Sequence, residues 1–237
     1  MPRRRRGCRK SRRGRRLGEG RQGLSGRLRE GLGRAAKHPR ARALLDDPKV
    51  FKAVRYPLVG AQKRTKELVR RELGAGPEDS VLDVCCGTGD FAGVVDGPYL
   101  GVDLNERFVG LAKERYAGNS SKRFEVMDAT RMRLDAGSFD RAMIVNAMHH
   151  FDDDLNRGIL AELSRVVRER IVIVDAIPDP EGWLSRLVIQ SDRGDHVRPL
   201  PKQLGLIAEQ LNIERHYTFE SGFIVQVMFV CSPMGER

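Results

Sequence analysis

The sequence predicts an α/β fold: a doubly wound, mostly parallel seven-stranded sheet that ends in an antiparallel hairpin and is preceded by N-terminal cap helices. Three observations carry this prediction. From Ser80 onward, apolar runs of strand length alternate five times with segments of helical period. The first run empties into a glycine turn, Cys85-Cys86-Gly87-Thr88-Gly89. The last two apolar runs are separated only by Glu220-Ser221-Gly222, too short a link for a parallel crossover, so those strands must be antiparallel.

Taken in order, Asp47-Pro48 signals a helix start and Pro57 stops that helix after about Arg55. A second helix, from about Ala61 to Leu73, places Ala61, Leu68, Val69 and Leu73 on one face, and Gly74 closes it. Val81, Leu82 and Val84 form the first strand, with a short helix expected from about Asp90. Tyr99 to Leu104 reads as the second strand, and Asn105 caps a helix bearing Phe108, Val109, Leu111 and Ala112. Lys122 to Ala129 and Phe139 to Ala147 are strands three and four. Leu155, Ile159, Leu160, Leu163, Val166 and Val167 keep helical spacing before a fifth strand, Ile171 to Ile177. Trp183, Leu184, Leu187 and Val188 suggest a short amphipathic turn, Leu204, Ile207 and Leu211 a helix opening near Pro201, and Glu214 to Phe219 with Phe223 to Cys231 the hairpin.

The chain has 237 residues and a formal net charge of +11, which suggests a nucleic-acid binder when read as an average. The distribution says otherwise. Residues 1–42 hold 17 Lys/Arg and 2 Asp/Glu, leaving 26 basic and 30 acidic residues in 43–237. The expected organisation is therefore a disordered Arg/Gly-rich tail (1–42), cap helices (43–75) and an α/β domain (76–237). The tail is either an arm making salt-sensitive, nonspecific contact with RNA or another anionic surface, or an extension without function, including one created by a start placed too far upstream. Four cysteines without a C-x-x-C pair suit neither a disulfide framework nor a zinc site, and point to a reducing cytoplasm. No stretch approaches a membrane span.

Gly87 and Gly89 allow a tight turn and close approach of a ligand, and Asp103 sits at the tip of the next strand, where a carboxylate can accept from a ribose diol. The third glycine, Gly93, falls too late for a dinucleotide G-x-G-x-x-G. On VLDVCCGTGD, GVDLNE, EVMDA and SFDRAMIVNAMHHFDD, residues 76–237 resemble the class I S-adenosylmethionine-dependent methyltransferases, with their Rossmann-like fold. CCGTGD is most similar to the wording of the quinone-ring C-methyltransferases. The resemblance implies S-adenosyl-L-methionine as cofactor. It implies that Asp83, Cys85, Gly87, Thr88 and Gly89 face the methionine part, with Cys85 standing where the family has its first glycine. Asp103 would take the ribose hydroxyls, Leu104 would lie beside the adenine, Asp128 and Ala129 would meet the adenine edge, and Asn146 would lie near the reacting methyl. The bland alternative for Asp103 and Asp128 is a turn or N-cap carboxylate.

An oxygen or carbon nucleophile usually needs a base, and the candidates are His149, His150 and His196. The His pair and Asp152, Asp153 and Asp154 can equally be read as the start of the next helix. No metal is expected. Arg193 and Arg198, in a charged connecting loop, are candidates to hold an acidic substrate, against an ordinary solvated loop. The expected activity is methyl transfer to an oxygen or carbon of a small, apolar or aromatic metabolite. The alternative is an RNA or protein methyltransferase tethered through the arginine arm, although Asn146-Ala147-Met148-His149 lacks the tetrapeptide of the amino-group base enzymes.

Overall fold

The computed structural model describes residues 62–178, 196–222 and 224–235. The basic tail, the helix expected from Asp47, the Trp183 turn and Arg193 lie outside the described residues. The elements are α1 (Lys63–Leu73), β1 (Val81–Val84), β2 (Tyr99–Asp103), α2 (Glu106–Arg115), β3 (Lys122–Val126), β4 (Phe139–Val145), α3 (Asp153–Val166), β5 (Val167–Ala176), α4 (Leu200–Ala208), β6 (Leu211–Ser221) and β7 (Ile224–Pro233). Single turns of 3-10 helix occur at Ala92–Val94 and Met148–His150.

The seven strands run in the order β3-β2-β1-β4-β5-β7-β6. The first five are parallel, and β7 pairs antiparallel with both β5 and β6. The chain winds outward from β1 through β2 to β3, then returns to lay β4 and β5 on the other side. The winding therefore reverses between β1 and β4, and the carboxyl ends of those strands flank the crevice where open α/β sheets bind ligands.

Alternation along the strands builds a core on each face. Leu82, Val84, Ile144, Ile171 and Ile173 pack with Ile159, Leu160 and Leu163 of α3 and Leu206 and Ile207 of α4. Val81, Tyr99, Met143, Val172 and Val174 pack on the opposite side with Leu68, Val69 and Leu73 of α1 and Val109 and Ala112 of α2. Gly74, at φ 58°, ends α1 by donating its N–H to the Arg70 carbonyl. The buried Glu72 carboxylate ties α1 to β6 through Arg215 and the Tyr217 hydroxyl, which donates over 2.9 Å. Burial alone would raise its pKa, but hydrogen bonds from Arg215, Arg71 and Tyr217 hold it at about 2.

Several boundaries depart from the expectation: β3 and β4 stop at Val126 and Val145, and Leu211 opens β6 instead of continuing α4. The helix expected from Asp90 is only the single turn Ala92–Val94, because the chain must reach Tyr99 through Gly93, two valines and Gly97-Pro98, all poor helix formers. Strand β5 begins at Val167 directly against the end of α3, with Arg168 and Glu169 exposed on a segment that composition alone reads as loop. Both hairpin strands also run longer than their apolar cores, to Leu211–Ser221 and Ile224–Pro233.

Candidate functional site

The turn after β1 is built for close approach. Gly87 and Gly89 have φ 56° and 70°, conformations that side chains rarely adopt. A Cβ on Gly87 would meet nothing within 4 Å, so space is open above the turn, whereas one on Gly89 would lie 2.9 Å from the Phe124 ring. Cys85 also has a positive φ, 60°, although it carries a side chain. Strain of this kind, of order 1–3 kcal/mol per residue, persists where the surroundings impose it, and commonly at functional sites. Asn146, across the crevice at the tip of β4, shares the feature at φ 55°. The two strands flanking the switch point thus both end on a left-handed residue.

Asp103 leaves β2 beside this turn. Its Oδ2 accepts the Gly87 N–H at 2.8 Å and its Oδ1 the Asn105 N–H at 2.9 Å, which aims the carboxylate over the turn. Asn105 in turn caps α2, its side chain accepting from the Arg107 and Phe108 N–H groups. Next to Asp103, Leu104 is 70% exposed, an apolar side chain presented to whatever lies against the tip of β2. Asp128, exposed at the end of β3, accepts from the Thr130 hydroxyl and N–H, which lower its pKa and keep it ionised. Ala129 is half-buried beside it, and Thr88 half-buried within the turn.

Asp83 departs from its expected placement. It is 3% exposed and accepts from the Tyr99 hydroxyl at 2.6 Å, inside the layer between the sheet and α1. Burial raises its pKa to about 7, against the lowering effect of the Tyr99 hydrogen bond and with smaller contributions from Asp103 and Asp90. Asp83 therefore favours the fold most when neutral. Its contribution is fully present below pH 4 and is lost as pH rises through about 7. The free energy of unfolding should fall between about pH 4 and 7 with a slope of up to about 1.4 kcal/mol per pH unit from this residue, and Asp83→Asn should flatten that slope. A slope identical in the variant would contradict the assignment.

The histidines gather beyond β4. His149 is 2% exposed, and its Nδ1 bonds Asp175 at the end of β5. His150 is exposed and packs its ring on that of His149, with centroids 4.2 Å apart. His196 is exposed, and its backbone N–H donates to the His149 carbonyl. The acids behind the pair begin α3: Asp152 caps it by accepting the Leu155 N–H at 2.9 Å. Arg198 departs from the expectation of a substrate-holding arginine. It is 4% exposed, pairs with Asp153 at 2.7 Å and donates to the carbonyls of Met148, Phe151 and His196, so its guanidinium is committed to the protein. Lys202 and Arg198 together hold Asp153 down at about 2.

The residues around the crevice fit a nucleoside with a charged tail: a carboxylate for a diol, an exposed apolar side chain for a flat ring, and an open glycine turn for close backbone approach. Residues 81–170 match the family model described as a methyltransferase domain. Over these residues, which run from β1 into β5, the chain is similar to methyltransferase domains. It is 27% identical over 138 residues to an O-methyltransferase of Pyrenophora dematioidea, 52% of this chain and 51% of that protein. It is 30% identical over 106 residues to a demethylmenaquinone methyltransferase of Lactococcus lactis subsp. lactis, 40% of this chain and 41% of that protein. The chain thus spans about half the length, or less, of these curated relatives. The chain also shares its fold with geranyl diphosphate C-methyltransferase from Streptomyces coelicolor A3(2), solved with Mg2+, geranyl diphosphate and S-adenosyl-L-homocysteine. The TM-score is 0.63 at 17% identity, covering 81% of this chain and 88% of that one.

Sequence reasoning passed over Tyr99, Asp175 and Gln226. Asp175 carried a signal: like Asp103, it is an acid ending an apolar strand at the ligand edge. Gln226 lies inside an apolar strand and carried none that local pattern can detect.

Proposed function

We propose that this protein transfers the methyl group of S-adenosylmethionine to an oxygen or carbon of a small, apolar or aromatic metabolite. The observation that carries the reading is the Asp103 carboxylate, fixed over the open Gly87 turn beside exposed Leu104. Cys85, Gly87, Thr88 and Gly89 would border the methionine part, Asp128 and Ala129 the adenine edge, and Asn146 the reacting side. The bound cofactor supplies a sulfonium methyl, and the displacement disperses charge rather than creating it, so alignment and exclusion of water are the chain's main tasks. His150, exposed at the tip of β4, would take the acceptor's proton. His149, held by Asp175 and in tilted ring contact with His150, would position it. His196 stands near enough through its backbone contact to be the alternative base. The demethylmenaquinone methyltransferase reported above is named for a small-molecule substrate, which favours this reading over RNA or protein as acceptor. The tether proposed for that alternative lies outside the described residues. Among the described residues no helix is long and apolar enough to cross a membrane. Cys85, Cys86 and Cys231 are free thiols, in keeping with the reducing cytoplasm proposed as the location.

The test uses the full chain, labelled cofactor and fractionated metabolites, with the product identified by mass. On that substrate, His150→Gln should lower kcat by roughly 100-fold or more while leaving the affinity for S-adenosylhomocysteine within about twofold. An unchanged kcat moves the base to His196. Transfer of label only to RNA or protein in the same fractions would overturn the small-molecule reading.

A further inference from the structure

One polar chain in the core leads to the tip of β4. Thr65 of α1, Gln226 of β7 and Ser221 of β6 are all buried. The Thr65 hydroxyl donates to Gln226 Oε1 at 2.8 Å, and Thr65 Oγ1 lies 3.1 Å from Ser221 Oγ. The Gln226 amide then donates through Nε2 to Asn146 Oδ1. With its oxygen used inward, Asn146 keeps Nδ2 as its remaining amide group, and that nitrogen is out of contact with water and has no hydrogen-bond partner in the protein. An orphaned buried donor is costly, and its usual explanation is a ligand or a functional role. The location supports that explanation. Asn146 ends one of the two strands at the switch point, in a left-handed conformation that asparagine tolerates better than most residues.

We infer that Thr65 and Gln226 form a positioning relay that fixes the polarity of the Asn146 amide, so that Asn146 offers an N–H donor to an oxygen of the bound ligand. This inference rests on the proposed methyltransferase reading and adds to it two elements outside the glycine turn, α1 and β7. The ligand oxygen has two possible sources, the carboxylate of the cofactor's methionine part and the oxygen of the acceptor molecule.

Gln226→Glu tests the relay at a residue that touches no ligand. Both carboxylate oxygens accept, so Thr65 still donates to one while Asn146 must turn Nδ2 inward to reach the other, presenting Oδ1 to the ligand. Asn146→Asp makes the same change directly: one oxygen accepts from Gln226 and the other faces the ligand. Both variants, as full chains, should lose roughly 10- to 100-fold in whichever quantity depends on the contact. If the cofactor carboxylate is the partner, the Kd for S-adenosylhomocysteine rises by that factor and kcat at saturating cofactor changes little. If the acceptor's oxygen is the partner, that Kd stays within about twofold and kcat/KM for the acceptor falls. In Asn146→Asp the deficit should shrink as pH falls, because a protonated carboxyl regains a donor, a recovery that a merely structural defect would not show. Thr65→Ser, which keeps the hydroxyl, should behave as the parent.

Equal binding and turnover in parent and both variants overturn the relay, as does tighter binding in Asn146→Asp. If Gln226→Glu fails to fold, Asn146→Asp decides. A parent chain that binds no S-adenosylhomocysteine refutes the methyltransferase reading itself, which separates that failure from failure of the relay.

Discussion

Replacing Asp103 by alanine will weaken the binding of S-adenosylhomocysteine by roughly 10- to 100-fold. A charged hydrogen bond contributes about 1.5–3 kcal/mol, and each 1.4 kcal/mol is about a factor of ten. The carboxylate is already aimed by the Gly87 and Asn105 N–H groups, so a diol arriving at the tip of β2 meets a preformed acceptor. Asp103→Asn, which keeps one acceptor oxygen for Gly87, should lose less. Isothermal titration of the three proteins checks the order parent, asparagine, alanine. Equal affinities would show that Asp103 only braces the turn, the bland reading that its two backbone contacts also permit.

Arg198→Ala is expected to destabilise the protein by about 1.5–3 kcal/mol, the usual worth of hydrogen bonds made by a charged group, since Asp153 is partly exposed and keeps Lys202. The carbonyls of Met148, Phe151 and His196 each lose the guanidinium as a donor, those of Met148 and Phe151 keeping Asn156 Nδ2, and Asp153 keeps only Lys202. Because Met148 opens the turn that carries His149 and His150, the loss should also disorder the proposed base. Urea denaturation should show the midpoint shift, and Arg198→Lys should recover only part of it, since an ammonium cannot reproduce the guanidinium fork that spans Asp153 and the three carbonyls. A midpoint within the error of the parent would mean that Arg198 is spare, and would return it to the list of substrate-binding candidates.

These two arginine and aspartate positions illustrate what a sequence can disclose. Asp103 was legible because its meaning is local: it ends an apolar run one strand after a glycine turn, and parallel winding brings all such tips to one edge. The Asn105 cap and the seven strands were legible for the same reason, as short patterns with a physical period. Arg198 misled because a charged residue in a connecting segment normally faces water, whereas this one is drawn under the Met148 turn by contacts to residues far away in the chain. The insertion of β7 between β5 and β6 is equally nonlocal, and so is the Thr65–Gln226–Asn146 chain that depends on it. Asp83 was correctly placed on its strand, but which face its carboxylate took depended on the Tyr99 hydroxyl supplied by the neighbouring strand.

The central claim is that the crevice between β1 and β4 binds S-adenosylmethionine. Isothermal titration of the full chain with S-adenosylhomocysteine tests it most directly. One site per chain is expected, saturable in the range common for small ligands of enzymes, about 1 μM to 1 mM, displaced by S-adenosylmethionine and weakened by Asp103→Ala. No heat of binding, or binding indifferent to Asp103, would contradict it.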